Sequence, residues 1–526
     1  MPGPILLVLI LAAAVYLGVI VHEAGHALIG RAVGFVVTSV GLGIAGPFLV
    51  LPMGGTRLYL GLTRPFQGIT FAFLPRVYPD RKRMAAFVSG GIAANALCAA
   101  LAIGLALCLP TGRLKTTSAM FAAINAMLAT SSLIPVSFRV GGAMLRSDGR
   151  LLLDVLRVGS LRQPPADVIQ NAQGCRRLWQ AVGDRLMDRL YTLNAALSWI
   201  DLGATAKAES VFAEAVAIDV AHPYIDWLEE VARTNLALAK GDPAEASAAL
   251  SRAESFGETF GEEGGYLLAL LRAGLLLIED RQGEAMAALE RLPADPVGRT
   301  RPEFGLSALT VHLRVACVAG DQAAVSELQS RYEAERLRHL SDVRDLQVYR
   351  ALAHFAASRG DDARDDYRRA LKAMAPLAAA WRDPHDKAAF VDAHRSLIEE
   401  AMEALGVEDV APLIAAVETQ EPDPAILARE QSRRRWALRL MLINAGLFVP
   451  LWLAALSIRP RGAPIIFLAV VLGLFTVLGA IGVLLDLAVR RLLPSLRRLS
   501  GAILLTVALM PWLVELIFCV VTTLTP

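Results

Sequence analysis

Histidine and cysteine are scarce in this chain of 526 residues, with 8 and 5 copies. The cysteines (Cys98, Cys108, Cys175, Cys317 and Cys519) show no C-x-x-C spacing, which excludes a disulfide framework and a cysteine zinc site. They read as small core residues. No charge of one sign dominates either: the formal net charge is +2 and the pI about 8.3, and no basic face outweighs the acidic residues of the middle region. A nucleic-acid partner is excluded on that ground. No Lys or Arg precedes Arg31, so the apolar N-terminal stretch lacks the basic flank of a signal peptide, although Ala12 to Ala14 resemble a small-residue cleavage site.

Apolar residues are abundant. They make up 55% of the chain, with a mean hydropathy of +0.47, too apolar for a soluble protein of this length and too charged in the middle for a membrane protein throughout. A hydrocarbon core of about 30 Å takes some 20 helical residues, and six stretches qualify, near residues 4–33, 84–109, 116–136, 436–458, 463–489 and 499–524. Their basic flanks alternate. Arg57, Arg64, Arg76, Arg81, Lys82 and Arg83 follow the first, only Arg113 and Lys115 follow the second, and Arg139, Arg146, Arg150 and Arg157 follow the third. The positive-inside rule then places both termini outside and the charged middle region in the cytoplasm.

Most of the chemistry sits at the end of the first stretch, in Val21-His22-Glu23-Ala24-Gly25-His26-Ala27. On a helix His22 and His26 lie only about 40° apart and one turn from each other, so two imidazoles can reach one ion. Glu23 lies about 100° round, placed to take a proton from a metal-bound water. The competing reading, two helix-end histidines that merely hydrogen-bond, leaves costly polar groups at the end of an apolar helix without a task. A catalytic zinc with two histidines wants a third protein ligand, commonly a carboxylate, and Asp148 in Arg146-Ser147-Asp148-Gly149-Arg150 is the candidate. Asp-Gly is by default a turn. Asp154 and Asp80 lie on the same side, the first inside an apolar run and the second before Arg81-Lys82-Arg83.

Residues 34–75 are punctuated by Gly and Pro and alternate in Val36 to Val40 and Arg57 to Leu62, which predicts short strands or a re-entrant hairpin. Such a loop could line the site or clamp an extended substrate by edge pairing. The second stretch opens Ser89-Gly90-Gly91-Ile92-Ala93-Ala94-Asn95, small residues that permit close helix approach, with Asn95 able to hydrogen-bond across.

Together, the first motif, the Gly-x-x-x-Asn element at Gly91 to Asn95, and Pro135 followed by Asp148-Gly149 resemble the site-2 protease family of intramembrane zinc metalloproteases, over roughly residues 5–160. The resemblance implies zinc held by His22, His26 and Asp148, water activated by Glu23, and substrate positioned with the help of Asn95. It also implies an integral protein of a bacterial inner membrane that cleaves transmembrane or membrane-associated proteins. Ile92 stands where the family usually has Pro, and the 13 residues from Pro135 to Asp148 exceed the family's compact loop.

Residues 160–431 carry an internal repeat. Aligning Gly203 with Gly241 also aligns Asp280, Gly320 and Gly360, in steps of 38, 39, 40 and 40 residues, with a helix predicted after each. Helical hairpins at this period resemble tetratricopeptide repeats, and stacked hairpins offer a groove for a cytoplasmic protein or peptide. The other histidines (His222, His312, His339, His354, His385 and His394) show no paired spacing and read as ordinary residues. The C-terminal portion, 432–526, holds Asn444, Asp486 and Glu515. Asp486 precedes Arg490 by one helical turn and reads as an ion pair. Glu515 is a candidate for substrate gating or helix docking, since a carboxylate within a span is costly.

The expected architecture is mainly α: a polytopic bundle of about six spans, with a zinc protease core in 1–159, a small β or re-entrant element, and a cytoplasmic α-solenoid. The rival is a catalytically inactive membrane scaffold that presents the repeats as a binding platform.

Overall fold

A computed structural model describes residues 4–43, 45–63, 67–76, 81–110, 113–133, 137–140, 143–158, 165–292, 302–336, 343–381 and 383–418. The three spans expected near the C-terminus, with Asn444, Asp486 and Glu515, lie outside the described residues, as do Asp80 and His339.

The first helix, α1 (Pro4–Ala32), runs through the apolar stretch and past both motif histidines. It stops at a Schellman turn, in which Gly34 takes φ +93°, its amide donates to the Arg31 carbonyl, and Phe35 N–H donates to the Gly30 carbonyl. Four strands follow, β1 (Val36–Leu42), β2 (Ala45–Met53), β3 (Thr56–Thr63) and β4 (Gly68–Phe73), in the sheet order β2-β3-β1-β4. The β2–β3 hairpin turns on Gly54 and Gly55, both at positive φ. β1 pairs with β3 in parallel and with β4 antiparallel, so β4 is an edge.

Helices α2 (Arg81–Cys108) and α3 (Arg113–Ser132) pack on α1. Close approach is written into the glycines. A Cβ on Gly25 would come within 2.4 Å of the Gly90 carbonyl oxygen, so α1 and α2 touch backbone to backbone at that point. Among the described residues two helical segments, Ala12–Ala32 and Arg81–Cys108, are long and apolar enough to cross a bilayer. The third predicted span is a helix too, but α3 carries Lys115 and several Thr and Ser and is not one of these two.

After α3 comes a hairpin that sequence reasoning did not foresee, β5 (Ser137–Val140) with β6 (Ala143–Arg146), and then α4 (Asp148–Val158). The interval between Pro135 and Asp148 thus doubles back on itself. Ser137 pairs with Arg146, so the chain leaves the hairpin where it entered. A Cβ on Gly149 would lie 2.0 Å from the Leu133 carbonyl oxygen, a measure of how tightly the start of α4 is brought to the end of α3.

Among the described residues fourteen helices make up the array, in chain order α5 (Pro165–Val182), α6 (Arg185–Asp201), α7 (Thr205–Val216), α8 (Pro223–Lys240), α9 (Pro243–Ser255), α10 (Gly257–Ile278), α11 (Gln282–Glu290), α12 (Pro302–Ala319), α13 (Gln322–Arg336), α14 (Val343–Ser358), α15 (Arg364–Ala379), α16 (Pro384–Ala393), α17 (Arg395–Leu405) and α18 (Val407–Glu418). Gly203, Gly241, Asp280, Gly320 and Gly360, the five aligned turn positions, all adopt positive φ, between 62° and 75°. Each closes a Schellman turn, as where Gly241 N–H donates to Leu238 and Asp242 N–H to Ala237. Asp242 and Asp321 then cap the next helix, accepting from backbone amides with Oδ1. The Gly-Asp pair is therefore a stop followed by a start.

Asp280 is the one non-glycine at positive φ among the described residues. A left-handed conformation costs an L-residue about 1 kcal/mol or more, so Asp280→Gly should raise the melting temperature of the full chain. A lowered melting temperature would show that the exposed hydrogen bond from Gln282 to Asp280 outweighs that strain.

The array closes on itself. Trp199 of α6 stacks on Trp381 at 4.7 Å between centroids, Gln170 of α5 donates to the Ala380 carbonyl, Lys207 pairs with Asp386, and Gln347 of α14 donates to the Asp201 carbonyl at the end of α6. The small sheet joins the same core. Tyr59, Phe71 and Phe73 are buried in one cluster with Trp179, Leu190 and Trp227. The sheet thus lies as a middle layer, α1 on one face and the first hairpins of the array on the other, and the expected domain boundary near residue 160 divides the chain but not the core.

Candidate metal centre

Three side chains from two separate segments converge. His22 Nε2 lies 2.8 Å from Asp148 Oδ2, His26 Nε2 lies 3.3 Å from the same oxygen, and the two Nε2 atoms are 3.1 Å apart. His22 and His26 owe their proximity to the one-turn spacing on α1, and Asp148 arrives because the β5–β6 hairpin returns the chain to the end of α3. It is the only group of three or more potential ligands among the described residues.

These distances test whether a zinc ion fits. In a tetrahedral centre with bonds of about 2.0–2.1 Å, ligand atoms sit about 3.3 Å apart. The observed triangle is slightly smaller, and a point about 2 Å from all three atoms lies about 1 Å out of their plane. Gly91 of α2 faces the histidines, and a Cβ built on it would lie 2.5 Å from His26 Nε2 and 2.6 Å from His22 Nε2. Glycine at 91 therefore keeps a side chain clear of both imidazole nitrogens.

The donor chemistry agrees. His26 Nδ1 lies 2.9 Å from the Phe87 carbonyl oxygen, which can only accept, so Nδ1 holds the proton and the bare Nε2 faces the centre. Behind His22 sits Asn95, fully buried, with its amide nitrogen 3.3 Å from His22 Nδ1 and its Oδ1 without a partner. Turning the amide by 180° leaves its heavy-atom outline unchanged. Oδ1 then accepts from Nδ1–H, and His22 too presents a bare Nε2. Two imidazole nitrogens and a carboxylate that converge in this way could hold a cation between them.

Glu23 is buried at the same depth of α1, with β4 laid against it. Thr70 donates to Glu23 Oε2 at 2.7 Å, and Gly68 lies so close that a Cβ there would come within 2.4 Å of Oε1. Sequence reasoning did not single out either residue. Thr70 has no distinguishing signal in a strand where β-branched residues are common, whereas a glycine opening a strand is a cue for close approach.

Of the sequence-predicted site residues, the fold brings together His22, His26 and Asp148, places Glu23 beside them on α1, and seats Asn95 against His22. Glu515 is outside the described residues, and the side chain of Asp154 is too. Four of the other histidines have local partners: His222 caps α8, His354 pairs with Glu400, His312 contacts Met286 and His394 donates to Phe390. Comparison with family models, with curated proteins and with solved structures found no match.

Proposed function

We propose that this chain is a membrane-embedded zinc endopeptidase of the site-2 protease type, acting on transmembrane or membrane-associated proteins. The single observation that carries the reading is the convergence of His22, His26 and Asp148 beside Gly91, with a buried glutamate on the adjoining residue. Zinc bound there would act as a Lewis acid and lower the pKa of water to near neutrality. Glu23, one residue from a ligand and held by Thr70, takes the proton of the attacking water and hands it to the departing amide nitrogen. Asn95 acts through His22, fixing the tautomer of the ring rather than meeting substrate. The free edge of β4, beside Glu23, is suited to pair with an extended substrate strand.

Membrane placement rests on what α2 exposes. Leu97, Leu101 and Leu105, spaced one turn apart, are each more than half exposed, and in water such a stripe would be an aggregation hazard. In this reading the stripe faces lipid. The helical array lies on the cytoplasmic side and receives a protein or peptide partner, in accord with the arginine-rich flanks after residue 34.

Metal content and cleavage, measured together on the purified full chain in detergent, test the reading. Wild type should hold one zinc and cleave unfolded casein. Asp148→Ala should lose both, with affinity falling by more than the 10- to 100-fold typical of outer-shell changes. An Asp148→Ala variant that binds zinc as tightly as wild type would move the third ligand elsewhere, and a wild type that never cleaves would favour the inactive scaffold.

A further inference from the structure

Consecutive residues of a strand face opposite sides, and in β4 the two sides belong to different parts of the protein. Thr70 points at Glu23, its hydroxyl 2.7 Å from Oε2 and 3.2 Å from the Glu23 carbonyl oxygen. Phe71 points the other way, edge-on to Trp179 of α5 at 5.8 Å, and Phe73 stacks on Tyr224 of α8 at 5.9 Å. Both rings are buried in the core of the helical array, with Ile69 packed against the same core. The neighbouring strand is fastened there as well. Thr38 and Ser39 of β1 both donate to Asp184 Oδ2, while Asp184 Oδ1 accepts from Met187 N–H at the start of α6. Asp184 is fully buried, so this tie is shielded from water. Ser39 in turn sits opposite Phe71 in the β1–β4 register.

One short strand therefore holds the glutamate with one face and the array with the other. Ser39 and Thr38 fix the height of β1, Phe71 and Phe73 fix the tilt of β4, and Thr70 transmits both to a single carboxylate oxygen. Misplacing a reacting group by about 1 Å can cost on the order of 100-fold in rate.

We propose that Thr70 is a positioning residue for Glu23, and that the seating of β4 on α5–α8 sets where Thr70 holds the carboxylate, so that the helical array tunes the base. The inference deepens the proteolytic reading and rests on it for its consequence in rate, while the contact itself can be read without cleavage.

The test uses the full chain in detergent. The infrared difference between wild type and Glu23→Gln isolates the Glu23 carboxyl band. Thr70→Val should shift that band and Thr70→Ser should restore it. With casein as probe, Thr70→Val should lower kcat by about 10- to 100-fold at unchanged KM and zinc content, with Thr70→Ser within about threefold of wild type. Phe71→Leu should shift the same band and lower kcat in the same manner. Val325→Ala, a core truncation in α13 away from the sheet, should lower the melting temperature and leave band and kcat in place. An unshifted band in Thr70→Val, or Ser behaving like Val, overturns the role of the hydroxyl. A Phe71→Leu variant indistinguishable from Val325→Ala overturns the coupling. Band shifts as expected in a protein that binds zinc and cleaves nothing would instead count against the proteolytic reading alone.

Discussion

Glu23→Gln should retain a full complement of zinc and lose cleavage by about 10²- to 10⁴-fold, the usual worth of a positioned general base. The amide keeps the outline of the carboxyl, and its oxygen can still accept the hydroxyl of Thr70. The β4 contact and the fold should therefore survive. The lost property is the ability to accept a proton. Because Glu23 is not among the three converging ligand atoms, metal content measured by elemental analysis should match wild type. Cleavage at the wild-type rate would remove the base from Glu23, and loss of zinc would make the glutamate a ligand.

The second large effect comes from a residue with no chemistry of its own. Gly91→Ala places a methyl group about 2.5 Å from both Nε2 atoms, where van der Waals contact needs more than about 3 Å. Room for the methyl comes only from turning the two imidazoles or parting α1 from α2, and either displaces the nitrogens from their present positions. Zinc should be undetectable in the purified variant, with activity lost in parallel. Gly104, further along the same helix, is the control, because a methyl group there would meet nothing within 4 Å: Gly104→Ala should keep both metal and activity. A zinc-replete Gly91→Ala protein would show that the ion lies off the axis defined by the two histidines.

Much of this centre was legible in the amino-acid order alone because helical geometry is local. Two histidines four apart must share a face, and the glutamate between them must stand beside it. Asp148 was harder, because thirteen residues from Pro135 read as too long a loop. The excess is spent in the β5–β6 hairpin, whose strands are only four residues each and leave a weak alternation in Ser137 to Arg146. The recurring turns were readable for a related reason. A Schellman turn needs a left-handed residue, so glycine recurs at a fixed period, and the single exception, Asp280, belongs to a residue type that tolerates that conformation. What lay beyond sequence was the junction. Nothing in Gly68-Ile69-Thr70-Phe71-Ala72-Phe73 says that alternate side chains face the candidate metal centre and the helical array, because that assignment depends on packing against Glu23 on α1 and against α5 and α8, more than a hundred residues further on.

Closure of the helical array has a mechanical consequence. An open solenoid behaves as a spring: each repeat leans only on its neighbours, the ends fray first, and a partner at one end can stretch the whole. Here Trp199 meets Trp381 and Gln347 reaches Asp201, so the row has been bent into a hoop. The first hairpins, the arc where β4 is seated, are thereby braced against later ones instead of standing at a free end.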